Sequence, residues 1–200
     1  YQTKAATGFR VVFGPVYAKD IRPFLTNGMK ATPEMRGILF GVMDRLAVVP
    51  IEMLRALKYF LVFLAAVLLW LGFTGGLNVP GITASVLPVL GAILTGTVGV
   101  PLLLPWLPGR SFAIKGFILG MIWTVLLAAL FEWGTLVTLG YLLLLPALST
   151  FLALNFTGCS TFTSQTGVNR EIRRFARPMA VSALAGLIML AVHIAKGVMS

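Results

Sequence analysis

The sequence predicts a mainly α-helical membrane protein: five transmembrane helices, preceded by a short strand-helix segment of α/β character. Three observations lead there. Of the 200 residues, 58% are apolar and 11% charged, with a mean hydropathy of +0.94, whereas soluble domains are about 25% charged. The run from Leu57 to Leu71 is almost unbroken in its apolar character, and several comparable runs follow it. A lipid solvent accounts for that repetition better than a soluble core does. Basic residues are also unevenly spread, nine of the 16 Lys and Arg lying at or before Lys58. The net charge of +10 would suggest nucleic acid in a soluble protein. In this composition it reads as topology signals and contacts with anionic headgroups.

The opening residues carry the α/β character. Phe9 to Phe13 is a β-branched and aromatic run stopped by Gly14-Pro15, which predicts a strand with a turn behind it. Lys19 to Leu25 places Ile21, Phe24 and Leu25 on one helical face, with Asn27-Gly28 as a left-handed cap. About 30 residues cannot bury a core of their own, so residues 1–33 are expected to be the end of a larger domain. The chain opens at Tyr1 and is read as the C-terminal part of a longer protein. The first 56 residues show no basic stretch leading into an apolar core of the signal-peptide kind.

Residues 34–56 read as an interfacial linker. Thr32-Pro33-Glu34 is a helix start, and the following residues place Met35, Ile38, Leu39, Val42, Met43 and Leu46 on one side, with Arg36, Asp44 and Arg45 elsewhere. Pro50 is expected to end or kink this helix. Glu52 and Arg55 are spaced to pair on the next turn, and Lys58 sits where a cation can snorkel.

Residues 57–200 form the membrane domain, with spans expected near 57–77, 82–107, 112–131, 135–155 and 178–196. Pro88, Pro101 and Pro105 predict a kinked or broken second span. The loop near 72–81 has no Lys or Arg, the loop near 108–115 has Arg110 and Lys115, the loop near 132–134 has only Glu132, and 156–177 carries Arg170, Arg173, Arg174 and Arg177. This alternation puts the N-terminus and the loops 108–115 and 156–177 in the cytoplasm, on a multi-pass cytoplasmic-membrane protein whose C-terminus lies outside.

Site signals are sparse. No Asp, Glu, Lys or Arg falls in the middle of an expected span, which weighs against an ion-coupled transporter, although a broken span is a transporter feature. Gly116 and Gly120 form a GxxxG, a helix-packing face within the bundle or a dimer face. His193 stands alone and reads as structural, and Glu132-Trp133 reads as an interfacial anchor. Asn155 to Gly167 is rich in hydroxyls, amides and glycines, and Val168 to Arg177 is a basic amphipathic turn or two, stopped by Pro178. The pair is a lipid-headgroup clamp or a docking surface. Cys159 is the only cysteine, which excludes an intrachain disulfide and a Cys-only metal or cluster site. With no cation beside it, it reads as an inert thiol. Phosphate loops, His/Cys metal spacings, Ser/His/Asp sets and paired carboxylates do not occur in the sequence.

Two stretches carry a resemblance. Gly8 to Leu25, Gly-Phe-Arg-Val-Val-Phe-Gly-Pro-Val-Tyr-Ala-Lys-Asp-Ile-Arg-Pro-Phe-Leu, together with Gly28 to Arg36, resembles the end of the corrinoid-binding domain of HgcA, the mercury-methylating corrinoid protein family. Asp44-Arg45-Leu46 and Val49-Pro50-Ile51-Glu52 are similar to its link into the membrane. Asn155-Phe-Thr-Gly, Thr161-Phe-Thr-Ser and Gly167-Val resemble its last cytoplasmic loop. The resemblance implies a family related to the corrinoid subunit of CO dehydrogenase/acetyl-CoA synthase. That family carries a methyl group on cobalt from a methylated folate to Hg(II), and a small 4Fe-4S ferredoxin partner restores the cobalt to Co(I). A cysteine-bearing cap helix, Asn-Val-Trp-Cys-Ala-Ala-Gly-Lys, is the family's hallmark. That motif is absent from this sequence, and Cys159, between Gly158 and Ser160, is not its equivalent. The resemblance places Gly14, Pro15, Val16 and Ala18 on the cofactor side, where a Gly-Pro loop also reads as a plain turn. The alternatives are a membrane scaffold, a corrinoid subunit without mercury activity, and a small-solute channel.

Overall fold

A computed structural model describes residues 8–9, 12–37, 41–157 and 165–199. It divides the chain into two units, residues 1–40 and 41–200.

In the first unit the helical half of the expected strand-helix pair forms. Helix α1, Ile21–Thr26, ends at Asn27, and Gly28 takes the left-handed conformation at φ +64°. The Met29 N–H donates to the Phe24 carbonyl (3.0 Å) and the Gly28 N–H to the Leu25 carbonyl (3.3 Å), the paired closure that a left-handed residue at this position permits. Of the expected apolar face only Phe24 is buried; Ile21 and Leu25 are exposed. The strand is not present among the described residues. Phe9 and Phe13 are 77% and 87% exposed, and among the described residues no second strand supplies a hydrogen-bonding ladder, without which β-propensity has no structure to express. Arg10 and Val11 lie outside the described residues.

The second unit contains five helices long and apolar enough to cross a membrane: α2 (Val42–Thr74), α3 (Val79–Leu103), α4 (Phe112–Phe131), α5 (Thr135–Thr157) and α6 (Gln165–Met199). Their number and order agree with the five expected spans, and α4 has the expected limits. The outer helices do not. Of the linker helix expected from Thr32 onward, Glu34–Arg36 forms a 3-10 turn, and Ile38 and Leu39 lie outside the described residues. A new helix then starts after Gly41, whose N–H donates to the Asp44 carboxylate (2.9 Å), and runs unbroken through Pro50. The C-terminal helix likewise runs through Pro178, so that the basic turn or two expected at Val168 to Arg177 is not stopped there but is continuous with the last span from Gln165. Both prolines are exposed, so the carbonyls they leave unpaired can be solvated by water or headgroups. At about 1.5 Å per residue α2 and α6 exceed the roughly 30 Å hydrocarbon thickness by some 20 Å.

The second span is interrupted, as its prolines predict. Helix α3 passes from α-helix (Val79–Leu94) into a π turn (Thr95–Gly99) and back to α-helix (Val100–Leu103). The irregular turn lies just before Pro101, where the ring would clash with a regular preceding turn.

Close backbone approach holds the bundle together. A Cβ on Gly116 would lie 2.7 Å from the Ala153 Cβ, and one on Gly120 would lie 2.7 Å from the Pro146 Cα. The GxxxG face of α4 therefore packs on α5 inside the bundle. On the other side of α5, a Cβ on Gly186 would lie 2.6 Å from the Gly140 carbonyl, and the Ser182 hydroxyl donates to the Leu143 carbonyl (2.8 Å). Helices α3 and α5 are the more buried; α2 and α6 are the outer ones.

Candidate functional site: the basic end of the bundle

One end of the bundle gathers the starts of α2, α4 and α6 and the finishes of α3 and α5. Of the ten Lys and Arg of residues 41–200, eight are carried on α2, α4 and α6 towards this end and Arg110 lies in the connection between α3 and α4, Lys196 being the other. Four of the charged groups there are drawn into the fold.

Like any helix finish, the end of α3 leaves carbonyls without helical donors. Arg45, expected on the polar side of a linker helix, is instead buried. Its Nη1 donates to the Pro101 carbonyl (3.1 Å) and Leu102 carbonyl (3.4 Å), and its Nε to the Gly41 carbonyl (3.2 Å). Lys115, expected in a loop, lies in the first turn of α4, also buried, and its Nζ donates to the Leu104 carbonyl at 2.6 Å. Two cations from different helices thus cover one helix finish, where the dipole favours positive charge.

The start of α4 is covered with the opposite sign. Ser111 caps it, its hydroxyl accepting from the Ile114 N–H (3.4 Å). Glu171 on α6 accepts from the Ser111 hydroxyl (2.5 Å) and from the Ala113 N–H (2.8 Å). A carboxylate at a helix start satisfies free donors and complements the dipole. Glu52 on α2 is 2% exposed and accepts from Arg55 at 3.1 Å, the pairing the sequence spacing predicts.

The expected cofactor-side residues lie in the first unit. Gly14, Val16 and Ala18 are exposed and Pro15 half-buried. Gly14 lies against the Phe24 ring, the Val16 N–H donates to the Met35 carbonyl (3.0 Å), and Ala18 opens a 3-10 turn ending at Asp20. Residues 1–40 contain neither Cys nor His, so this turn has no thiolate or imidazole ligand for cobalt. It does not fit a corrinoid as a complete site. Cys159 and the rest of 158–164 lie outside the described residues.

At the opposite end Glu132 ends α4 at φ +48°, and Trp133 stacks within 4.6 Å of Tyr141 and 6.1 Å of Phe131, an arrangement suited to the interfacial anchor expected there. His193 is exposed on α6, and among the described residues no three His, Cys, Asp or Glu come together as a metal site.

The contacts of Arg45, Lys115 and Glu171 were not legible in the sequence as a set. Sequence reading passed over Ser111, whose place ahead of an apolar run is the signal that could have marked a helix start, and Glu171, the one acid in a run of arginines; nothing in the spacing links them. No family model, curated protein or solved structure matches the chain.

Proposed function

We propose that this chain is the membrane-anchoring part of a corrinoid-dependent methyltransferase that transfers a methyl group from a methylated folate, by way of cobalt, to Hg(II), giving methylmercury. The observation that carries the reading is the resemblance over Gly8–Leu25 and Gly28–Arg36. Support comes from the bundle, whose α2 starts directly after this segment and at the basic end. The part of this chain is to hold the upstream cofactor domain at the membrane; the cobalt ligand would lie in that domain. The basic end faces the cytoplasm in this reading, and the C-terminus lies outside. A ferredoxin-type 4Fe-4S protein is the reductant.

The test is expression of the complete reading frame, reconstitution with cobalamin, and measurement of bound corrinoid absorbance, followed by methylmercury formation from added Hg(II). Absence of retained corrinoid sinks the reading. Retained corrinoid without methyl transfer to Hg(II) moves it to a corrinoid subunit of the CO dehydrogenase/acetyl-CoA synthase kind. The second reading, a membrane scaffold, draws on the exposed Arg173, Arg174 and Arg177 at the start of α6. It predicts that Arg173→Glu with Arg174→Glu abolishes partner capture by residues 1–200, and unchanged capture counts against it.

A further inference from the structure

The start of α6 carries Arg170, Arg173, Arg174 and Arg177, the last three lying three, four and seven residues beyond the first. That spacing sets all four on one stripe of the helix, and all four are exposed. We infer that this stripe binds the phosphates of anionic phospholipids in the adjoining leaflet.

Contacts on the other side of α6 fix its rotation. Glu171 accepts from Ser111 and Ala113 at the start of α4. The Ser182 hydroxyl donates to the Leu143 carbonyl of α5, and Gly186 packs against the Gly140 carbonyl. At about 100° per residue, Glu171, Ser182 and Gly186 fall within roughly 60° of one another and mark the side turned to the bundle. The arginine stripe is centred about 140° away. Val181, Leu184 and Ile188 continue it along the helix, at 68%, 60% and 55% exposure. Glu171 is the one acid on α6 and is turned the other way, so no carboxylate of this helix competes for the arginines. Arg174 leans over the Phe175 ring, 5.8 Å from its centroid, and is exposed all the same.

Depth selects lipid over an acidic protein docking from water. Pro178 to Ala195 holds no Lys, Arg, Asp or Glu and rises about 26 Å, close to the roughly 30 Å hydrocarbon thickness. Arg177 therefore stands at one hydrocarbon edge and Lys196 at the other. The headgroup layer adds about 5–7.5 Å on each side. Arg174 and Arg173 stand about 4.5 and 6 Å beyond Arg177 along the axis, within that layer. Arg170 stands about 10.5 Å beyond it, clear of the layer. Three of the four are thus level with lipid phosphates, which a guanidinium binds through a fork of donors. A soluble partner would meet Arg170 first. Nothing in this surface depends on cobalt chemistry, so failure of the corrinoid test leaves it standing.

The experiment uses residues 1–200 with Cys159→Ser and Val181→Cys, a fluorophore being attached at position 181, just below the arginines on their stripe. The protein sits in nanodiscs of equal phosphatidylglycerol and phosphatidylcholine, with a nitroxide quencher on one lipid and then on the other. The ratio of quenching reads which lipid occupies that position. The four arginines are expected to give a preference of about fivefold for phosphatidylglycerol, falling with added salt. Arg173→Gln, Arg174→Gln and Arg177→Gln together are expected to bring the ratio near one. Arg170→Gln alone is expected to change it less than about twofold. A fluorophore placed instead through Leu130→Cys, on α4 near the other end of the bundle and 68% exposed, is expected to show no preference; unchanged quenching there in the triple variant shows that the bundle is intact. Equal occupancy of the two lipids at position 181 with all four arginines present overturns the inference. So does a preference that survives loss of the three arginines. Abolition of the preference by Arg170→Gln alone overturns it too, and assigns the stripe to a soluble acidic partner.

Discussion

Replacing Gly116 by alanine tests the packing of α4 on α5 most directly. The new methyl carbon would lie 2.7 Å from the Ala153 Cβ, 2.8 Å from the Ser149 carbonyl oxygen and 2.9 Å from the Thr150 Cα. Carbon atoms rest at about 3.5–4.0 Å, so the helices must separate locally by roughly 1 Å. A gap of that size forfeits about a quarter to a half of the dispersion energy of each contact along the seam. Overpacking of this kind costs about 1–3 kcal/mol, offset by up to about 1 kcal/mol of improved helix propensity. The expected net loss is therefore about 1–2 kcal/mol. Gly120→Ala faces the same distance, 2.7 Å, to the Pro146 Cα. Since one separation accommodates both methyls, the double variant is expected to cost less than the two singles together. Gly72→Ala on α2 has nothing within 4 Å and is expected to be neutral or slightly stabilising. Reversible unfolding in mixed micelles measures all four proteins. Wild-type stability in both single variants refutes the reasoning, as does a change confined to oligomeric state, which would mark the GxxxG as a dimer face.

The remaining predictions concern the helix ends. Arg45→Met strands the Pro101 and Leu102 carbonyls, and a loss of about 1.5–3 kcal/mol is expected in the same unfolding assay. Lys115→Met removes the donor to the Leu104 carbonyl and is expected to cost about 1–3 kcal/mol; combined with Arg45→Met it should be non-additive, because both act on one helix finish. Glu171→Gln keeps an acceptor for Ser111 and Ala113 but removes its charge, so about 0.3–1 kcal/mol is expected, reduced by added salt. Trp123→Phe removes the indole donor to the Pro88 carbonyl (3.0 Å), with about 1 kcal/mol lost and faster amide exchange expected near Gly91.

The spans were legible because a membrane imposes one composition over about 20 residues. The ends of α2 and α6 were not legible. Past the hydrocarbon a helix is held by its neighbours rather than by composition, and Pro50 and Pro178 terminate a helix only where the carbonyls they orphan cannot be solvated. The strand expected at Phe9–Phe13 is absent among the described residues of that run for a complementary reason: a strand is a pairing between segments, and one segment does not state whether its partner is present. The turn at Asn27-Gly28 was legible because its requirement for positive φ is met locally.

The basic residues show where sequence reading ran short within the candidate site. Counted along the chain, Arg45 and Lys115 are topology signals. In the fold they are the donors that complete the finish of α3. The two roles coincide for a physical reason. A helix finish that leaves free carbonyls near a membrane surface needs donors there, and long cationic side chains anchored in neighbouring helices reach them. The same residues therefore bear on orientation and on stability. Arg45→Glu is expected to do more than weaken a topology signal: it sets a carboxylate against the carbonyls at the end of α3, so its loss of stability should exceed that of Arg45→Met in the same assay. Equal losses would mean that the guanidinium contributes through its packing alone.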